Sequence, residues 1–115
     1  MNRRQFLIAT SATAIAAAIP GLGTAQEISK LEFFVPANPG GGWDQTSRVM
    51  DEVLRSEKLI GSSMITNVGG AGGTVGLPQF IRKYDGEGEA VMVAGLVMIG
   101  AIVTGKSPVD LTMVT

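Results

Sequence analysis

The sequence contains no cysteine and no histidine. Without cysteine it can form no disulfide bond, no thiolate metal site and no lipid-modified N-terminal cysteine. Without histidine it lacks the commonest general base and the commonest metal ligand, so a serine–histidine triad cannot form within these residues. We therefore predict no catalytic residue, metal or cofactor here, and expect any site to rely on backbone groups and a few polar side chains.

Residues 1–25 have the three parts of a secretory signal peptide. Arg3 and Arg4 form a basic start, residues 6–19 are apolar, and Gly23-Thr24-Ala25 suits signal peptidase, so the mature chain is predicted to begin at Gln26. A membrane anchor is the alternative, but the apolar stretch is shorter than the ~20 residues that a bilayer requires. The adjacent arginines favour twin-arginine export, with ordinary Sec export as the alternative.

Few basic residues remain after this leader. Without Arg3 and Arg4 the chain carries seven basic and ten acidic residues, a net charge of −3. A mildly acidic chain with no basic cluster is not expected to bind nucleic acid or an anionic membrane surface.

Apolar runs and helical patterns alternate along residues 26–115. They predict strands at 31–35, 64–68 and 90–94, and helices at 45–59, 75–82 and 97–104. Strands alternating with helices predict an α/β fold with right-handed crossovers and a parallel sheet. The predicted buried side chains are Val49, Val53 and Leu54 on the first helix and Leu77, Phe80 and Ile81 on the second.

The C-terminal residues Val109–Thr115 alternate between apolar and polar side chains, which predicts the start of a further strand. A strand needs a partner. We therefore interpret the sequence as the truncated N-terminal part of a longer protein; the alternative is a complete small domain.

Two glycine clusters follow the first two predicted strands. The first is Pro36–Asp44, with Asp44 as the predicted N-cap of the next helix, and the second is Asn67–Thr74, with Thr74 as the predicted cap. Because the carboxyl ends of parallel strands meet at one edge of the sheet, both clusters are expected at the edge where α/β sheets bind ligands.

Clusters of this kind can bind an anion through the backbone. Glycine permits positive φ angles and close approach of a ligand, and we expect valine at Gly41 or Gly72 to abolish binding while leaving the protein folded. The N–H groups of a turn at a helix N-terminus attract an anion without any basic side chain. The alternative for either cluster is an ordinary flexible turn, but two clusters at one edge favour a site.

Four side chains in these clusters each have two open roles. Trp43 can cover the core or form a flat wall of the pocket. Asn38 and Asn67 can donate hydrogen bonds to a ligand or stabilise the turns. Asp44 is expected to act as a cap rather than as a catalytic acid, because its carboxylate would repel an anionic ligand.

The segment Gly100–Ser107 matches the nucleotide-binding pattern G-x-x-x-x-G-K-[ST]. Its context argues against a phosphate loop, because Pro108 disfavours helical angles at Ser107 and residues 101–104 are typical of the end of a helix stopped by Gly105. Neither glycine cluster has the dinucleotide spacing G-x-G-x-x-G. We therefore predict no nucleotide binding.

Three segments carry a family resemblance: Phe34–Asp44, Asn67–Gly76 and Val97–Ala101. They resemble the substrate-binding proteins of tripartite tricarboxylate transporters, the TctC/Bug family, and the resemblance covers essentially all of residues 26–115. It implies a periplasmic protein with the two α/β lobes of a periplasmic-binding-protein (Venus flytrap) fold, closing on the ligand. This chain would hold the N-terminal part of the first lobe.

In that family the two loops hold a carboxylate largely through backbone groups. Together with the two asparagines, the candidate ligand-binding residues are Asn38, Gly40, Gly41, Gly42, Trp43, Asp44, Asn67, Gly70, Ala71, Gly72, Gly73 and Thr74. The resemblance implies capture of a di- or tricarboxylate, such as citrate, for the membrane subunits of the transporter. The alternatives are an exported enzyme that acts on a carboxylate, with Asp44 as base, and a ligand-sensing module for a signalling receptor.

Overall fold

The computed structural model describes residues 27–114, so the predicted leader lies outside the described residues. The elements in chain order are β1 (Ile28–Val35), α1 (Gly42–Ser56), β2 (Ile60–Asn67), α2 (Gly76–Tyr84), β3 (Ala90–Met92) and α3 (Leu96–Gly105), with short 3-10 turns at Ala71–Gly73 and Leu111–Met113. No helix in this range is long and apolar enough to cross a bilayer.

The described strands form one sheet in the order β2-β1-β3, and both neighbouring pairs are parallel. Phe33 in the central strand is aligned with Ile65 on one side and Val91 on the other. The predicted α/β fold with a parallel sheet is therefore confirmed. Strands β1 and β2 begin earlier than the sequence predicted, and β3 ends earlier.

Residues 31–35 of β1 are buried on both faces of the sheet, so the end of the strand that leads into the first glycine cluster is held firmly in the core. On one face Leu31, Phe33 and Ile60 form a cluster with Leu54 of α1 packed against it. On the other face lie three aromatic rings: Phe34, Phe80 and Tyr84, with the centroids of Phe34 and Phe80 5.4 Å apart. Each fully buried side chain of this size stabilises the fold by about 1.5–3 kcal/mol.

The buried face of α1 differs from the predicted one. Val49 and Val53 are 60% and 51% exposed, and only Leu54 packs against the core. The buried side chains of α1 are polar: Asp44, Ser47 and Asp51. They tolerate burial because each has a partner within the helix: both carboxylates pair with the arginine four residues later, and the Ser47 hydroxyl donates to the Trp43 carbonyl.

The predicted inner face of α2 is largely confirmed. Leu77 and Phe80 are buried, and Ile81 is half-buried. The helix runs on to Tyr84, which is buried as well.

Two predictions near the C-terminus are wrong. Gly105 is the last residue of helix α3 and not the residue that stops it; the left-handed residue after the helix is Lys106, with φ 48°. Residues 109–114 form no strand, because the Asp110 carboxylate accepts the Thr112 N–H over 2.8 Å and closes a 3-10 turn instead.

Candidate functional site

The two glycine clusters lie side by side at the carboxyl end of the sheet. We call residues 36–41 the first loop and residues 68–75 the second loop. The Val68 N–H donates to the Val35 carbonyl over 2.8 Å, which extends the pairing of β1 and β2 to the start of both loops. The Asn67 amide then donates to the Ala37 carbonyl over 3.2 Å. The predicted meeting of the two clusters at one edge is therefore observed.

A cavity of about 360 Å³ lies between the two loops and the beginning of α3. None of its lining residues is charged: they are Pro36, Ala37, Gly42, Trp43, Gly70, Ala71, Gly72, Gly73 and Val97. A ligand here would therefore meet backbone groups and apolar side chains only.

Backbone N–H groups around this cavity are unbonded within residues 27–114. Among the lining residues they belong to the first turn of α1, the second loop and the first turn of α3: Gly42, Trp43, Gly70, Ala71, Gly72 and Val97. The first N–H groups of any helix lack an internal partner, and the helix dipole makes that end positive. Two helix N-termini and one glycine loop therefore present hydrogen-bond donors to the same region.

The carbonyl groups of the same segments are mostly engaged. Those of Gly40 and Gly41 accept from Gln45, and the Gly42 carbonyl accepts from the Thr46 hydroxyl. Further engaged carbonyls are those of Ala37, Gly70, Ala71 and Gly95. The lining carbonyls of Pro36, Gly72 and Gly73 accept no hydrogen bond from residues 27–114. The region thus offers more free donors than free acceptors, which suits an anion rather than a cation or a neutral polar group.

Asp44 is not the N-cap of α1, contrary to prediction, because the helix begins earlier and its N-cap is Gly41. The Asp44 side chain is only 1% exposed and does not line the cavity. It accepts hydrogen bonds from Arg48 Nε at 2.9 Å, the Gly40 N–H at 2.8 Å and Asn67 Nδ2 at 3.0 Å. These three bonds, in that order of importance, lower the pKa of Asp44 from 3.8 to about 2.

The two clusters differ in their need for glycine. Gly72 has φ 66°, and a Cβ there would lie 2.9 Å from the Cβ of Ala101. Gly41 has φ −74°, and its nearest neighbour would be the Asn38 carbonyl oxygen at 3.5 Å. The backbone therefore favours glycine at Gly72 but not at Gly41, whose conformation any residue can adopt. The expected loss of binding on substitution by valine stays a prediction for both residues.

Trp43 fills both of the roles left open by the sequence. Its half-buried ring covers two glycines: a Cβ on Gly73 would lie 3.2 Å from the ring and a Cβ on Gly95 3.0 Å from the indole nitrogen. The same ring lines the cavity. Trp43 therefore closes the small gap between the second loop and α3 and forms one wall of the site.

The candidate residues divide into those that line the cavity and those that lie outside its lining. Those in the cavity lining are Gly42, Trp43, Gly70, Ala71, Gly72 and Gly73, whereas Asn38, Gly40, Gly41, Asp44, Asn67 and Thr74 lie outside it. Thr74 is not the cap of α2, whose N-cap is Val75; its hydroxyl donates to the Ala71 carbonyl and tightens the second loop. Lining residues missing from the prediction are Pro36, Ala37 and Val97. Val97 could have been found, since it follows the third strand at the same sheet edge.

Other sites considered in the sequence are not formed. Residues 100–105 lie within α3, and Lys106 follows in a left-handed conformation, so the segment has no strand-to-helix phosphate loop. Among the described residues, no group of three acidic side chains is placed to hold a metal ion.

Comparison with models of known protein families, with characterised proteins and with solved structures finds no match to this chain.

Proposed function

We propose that this chain is a periplasmic solute-binding protein that captures a small di- or tricarboxylate, such as citrate, for the membrane subunits of a tripartite tricarboxylate transporter. The supporting observation is the excess of free N–H donors around an uncharged cavity. A carboxylate accepts hydrogen bonds only, and each bond to a charged group contributes about 1.5–3 kcal/mol. The family resemblance of both glycine loops supplies the transport role.

We further propose that the described α/β unit belongs to a lobe that closes against a second one, as in a Venus flytrap. Helix α3 supports this proposal. It contains no charged residue from Leu96 to Gly105, yet its side chains at Leu96, Val97 and Val103 are 81%, 66% and 73% exposed, and Val97 lines the cavity. A helix that is apolar on all sides is normally buried.

Catalysis by Asp44, the enzymatic alternative, is not favoured. A general base works best with a pKa near the working pH. The pKa of Asp44 is about 2, its carboxylate already accepts three hydrogen bonds, and it does not line the cavity.

Trp43 makes binding directly measurable, because it is the single tryptophan of the chain and lies in the cavity wall. The full-length protein, which includes the second lobe proposed above, should show a saturable change in Trp43 fluorescence on titration with citrate or succinate, matched by heat in calorimetry. Succinamide, which has the same carbon chain without a charge, is the control and should not bind. Citrate should persist unchanged for hours. Absence of binding by every carboxylate, or turnover of citrate, would contradict the proposal.

A further inference from the structure

Helix α3 has a single fully buried side chain, that of Met98, which is 0% exposed. Its neighbours on the helix, Val97 and Ile99, are 66% and 47% exposed. Met98 belongs to neither of the two clusters that pack on the sheet, and α3 packs chiefly against the 3-10 turn of the second loop. The burial of Met98 therefore depends on the loops at the cavity and not on the core of the sheet.

The terminal methyl group of Met98 lies beside Gly73 of the second loop. A Cβ on Gly73 would lie 2.5 Å from Cε of Met98, 3.2 Å from the Trp43 ring and 3.3 Å from the Pro36 carbonyl oxygen. Gly73 thus lies where α3, α1 and the first loop meet. With φ 97° and no side chain of its own, it is a flexible residue whose position is set by these neighbours.

A second contact between α3 and the loop lies next to the first. A Cβ on Gly72 would lie 2.9 Å from the Cβ of Ala101 and 3.6 Å from Cγ1 of Val97. Val97, Met98 and Ala101 are three and four residues apart or adjacent, so they share one face of the helix. That face lies along two successive glycines of the second loop, with its only buried side chain, Met98, against Gly73.

The loop that α3 supports supplies half of the free N–H groups in the cavity lining. Those of Gly70, Ala71 and Gly72 form no hydrogen bond within residues 27–114. A loop that must be ordered on binding lowers the observed affinity, because fixing each backbone residue costs conformational entropy. A loop that is already held in place binds without this loss.

We infer that Met98 is a positioning residue, which holds the second loop in its binding conformation through Gly73. Met98 does not line the cavity, so it acts through the loop and not by touching the ligand. The inference rests on the proposed carboxylate binding and assigns to α3 a part in it.

Two substitutions of Met98 in the full-length protein test the inference. Without ligand, Met98→Ala should lower the ¹H–¹⁵N NOE of the Ala71 and Gly72 amides, because the loop loses its support. It should also weaken succinate binding in calorimetry about tenfold, the effect of one further residue to be ordered on binding. Met98→Leu, which nearly conserves the volume, should restore both values. Unchanged NOE values or affinity in Met98→Ala, or no recovery with leucine, would overturn the inference.

Leu54→Ala is the control for lost stability. Leu54 packs against the core cluster of Leu31 and Phe33 and does not line the cavity. This variant should be destabilised and yet bind succinate as the wild type does. An equal loss of affinity in Leu54→Ala and Met98→Ala would show that Met98 acts only through general stability, and would overturn the inference.

Ala101→Leu tests the same support without opening a cavity, and serves if Met98→Ala does not fold. The larger side chain would press against Gly72, so succinate binding should weaken, whereas Gly100→Ala adds a methyl group where no atom lies within 4 Å and should leave it unchanged. Unaltered binding in Ala101→Leu would overturn the inference. If the wild type bound no carboxylate, the proposed function would fail and the role of Met98 in binding with it, and the NOE values would still show whether Met98 holds the loop.

Discussion

The side-chain amide of Asn67 donates a hydrogen bond to Oδ1 of Asp44 over 3.0 Å. This bond joins the end of β2 to the first turn of α1, and the second amide hydrogen of Asn67 bonds to Ala37 in the first loop. Since both loops border the cavity, the Asn67–Asp44 pair fixes the spacing of the two loops. The pair thus has a structural role and leaves ligand contact to the backbone.

Asn67→Ala should lower the free energy of unfolding by about 1–3 kcal/mol, because it leaves the buried Asp44 carboxylate and the Ala37 carbonyl each short of a donor. Urea denaturation measures the change. Asn38→Ala is the control: Asn38 is exposed, and its removal should change stability by no more than about 0.5 kcal/mol. Equal effects of the two substitutions would contradict the role assigned to Asn67.

The stability should depend on pH through Asp44. Its pKa is about 2 in the folded chain against 3.8 in the unfolded chain, so its ionised form stabilises the fold above pH 3.8, and this contribution is lost as the pH falls towards 2. Urea denaturation at a series of pH values should show the wild type losing stability more steeply across this window than Asp44→Asn, which cannot ionise. If the stability of the wild type and of Asp44→Asn fell in parallel across this pH window, the low pKa of Asp44 would be contradicted.

Gly72→Ala should cost about 1–2 kcal/mol of stability, because alanine disfavours the left-handed backbone and its methyl group would approach Ala101. Gly41→Ala, in the other loop, should be nearly neutral because its backbone is extended and space is available. Thermal unfolding of the two variants compares them directly. If Gly41→Ala lost more stability than Gly72→Ala, the backbone conformations described for the two loops would be contradicted.

Neighbouring residues of α1 test which face of the helix is buried. Leu54→Ala should reduce the free energy of unfolding by about 1–3 kcal/mol, since Leu54 packs against Leu31 and Phe33. Val53→Ala should cost less than about 0.5 kcal/mol because Val53 is 51% exposed. A larger loss for Val53→Ala than for Leu54→Ala in urea denaturation would instead support the buried face that the sequence predicted.

Hydrophobic periodicity was enough to predict the parallel sheet, because the second half of β1 is mostly apolar and each helix follows a strand. It failed on α1 because polar residues there are buried with partners in the same helix. Asp44 and Asp51 pair with Arg48 and Arg55 one turn away, and a hydrophobic pattern does not register such pairs.

The candidate site was predictable as a meeting of two loops but not in its details. The glycines of the first cluster do not reveal where α1 begins, and the start at Gly42 moves Asp44 from the cap into the first turn. The contribution of α3 depends on how Val97 and Met98 pack against the second loop, which is a tertiary contact that local sequence does not contain.

The proposed function requires that the cavity bind a carboxylate through backbone N–H groups. Titration of the ¹⁵N-labelled full-length protein with succinate, followed in amide NMR spectra, tests this requirement. We expect saturable shifts of the amide resonances of Trp43, Ala71, Gly72 and Val97, while those of Gly86 and Gly88, outside the cavity lining, stay in place. No saturable shift at the loop amides, or shifts confined to residues elsewhere, would contradict the account.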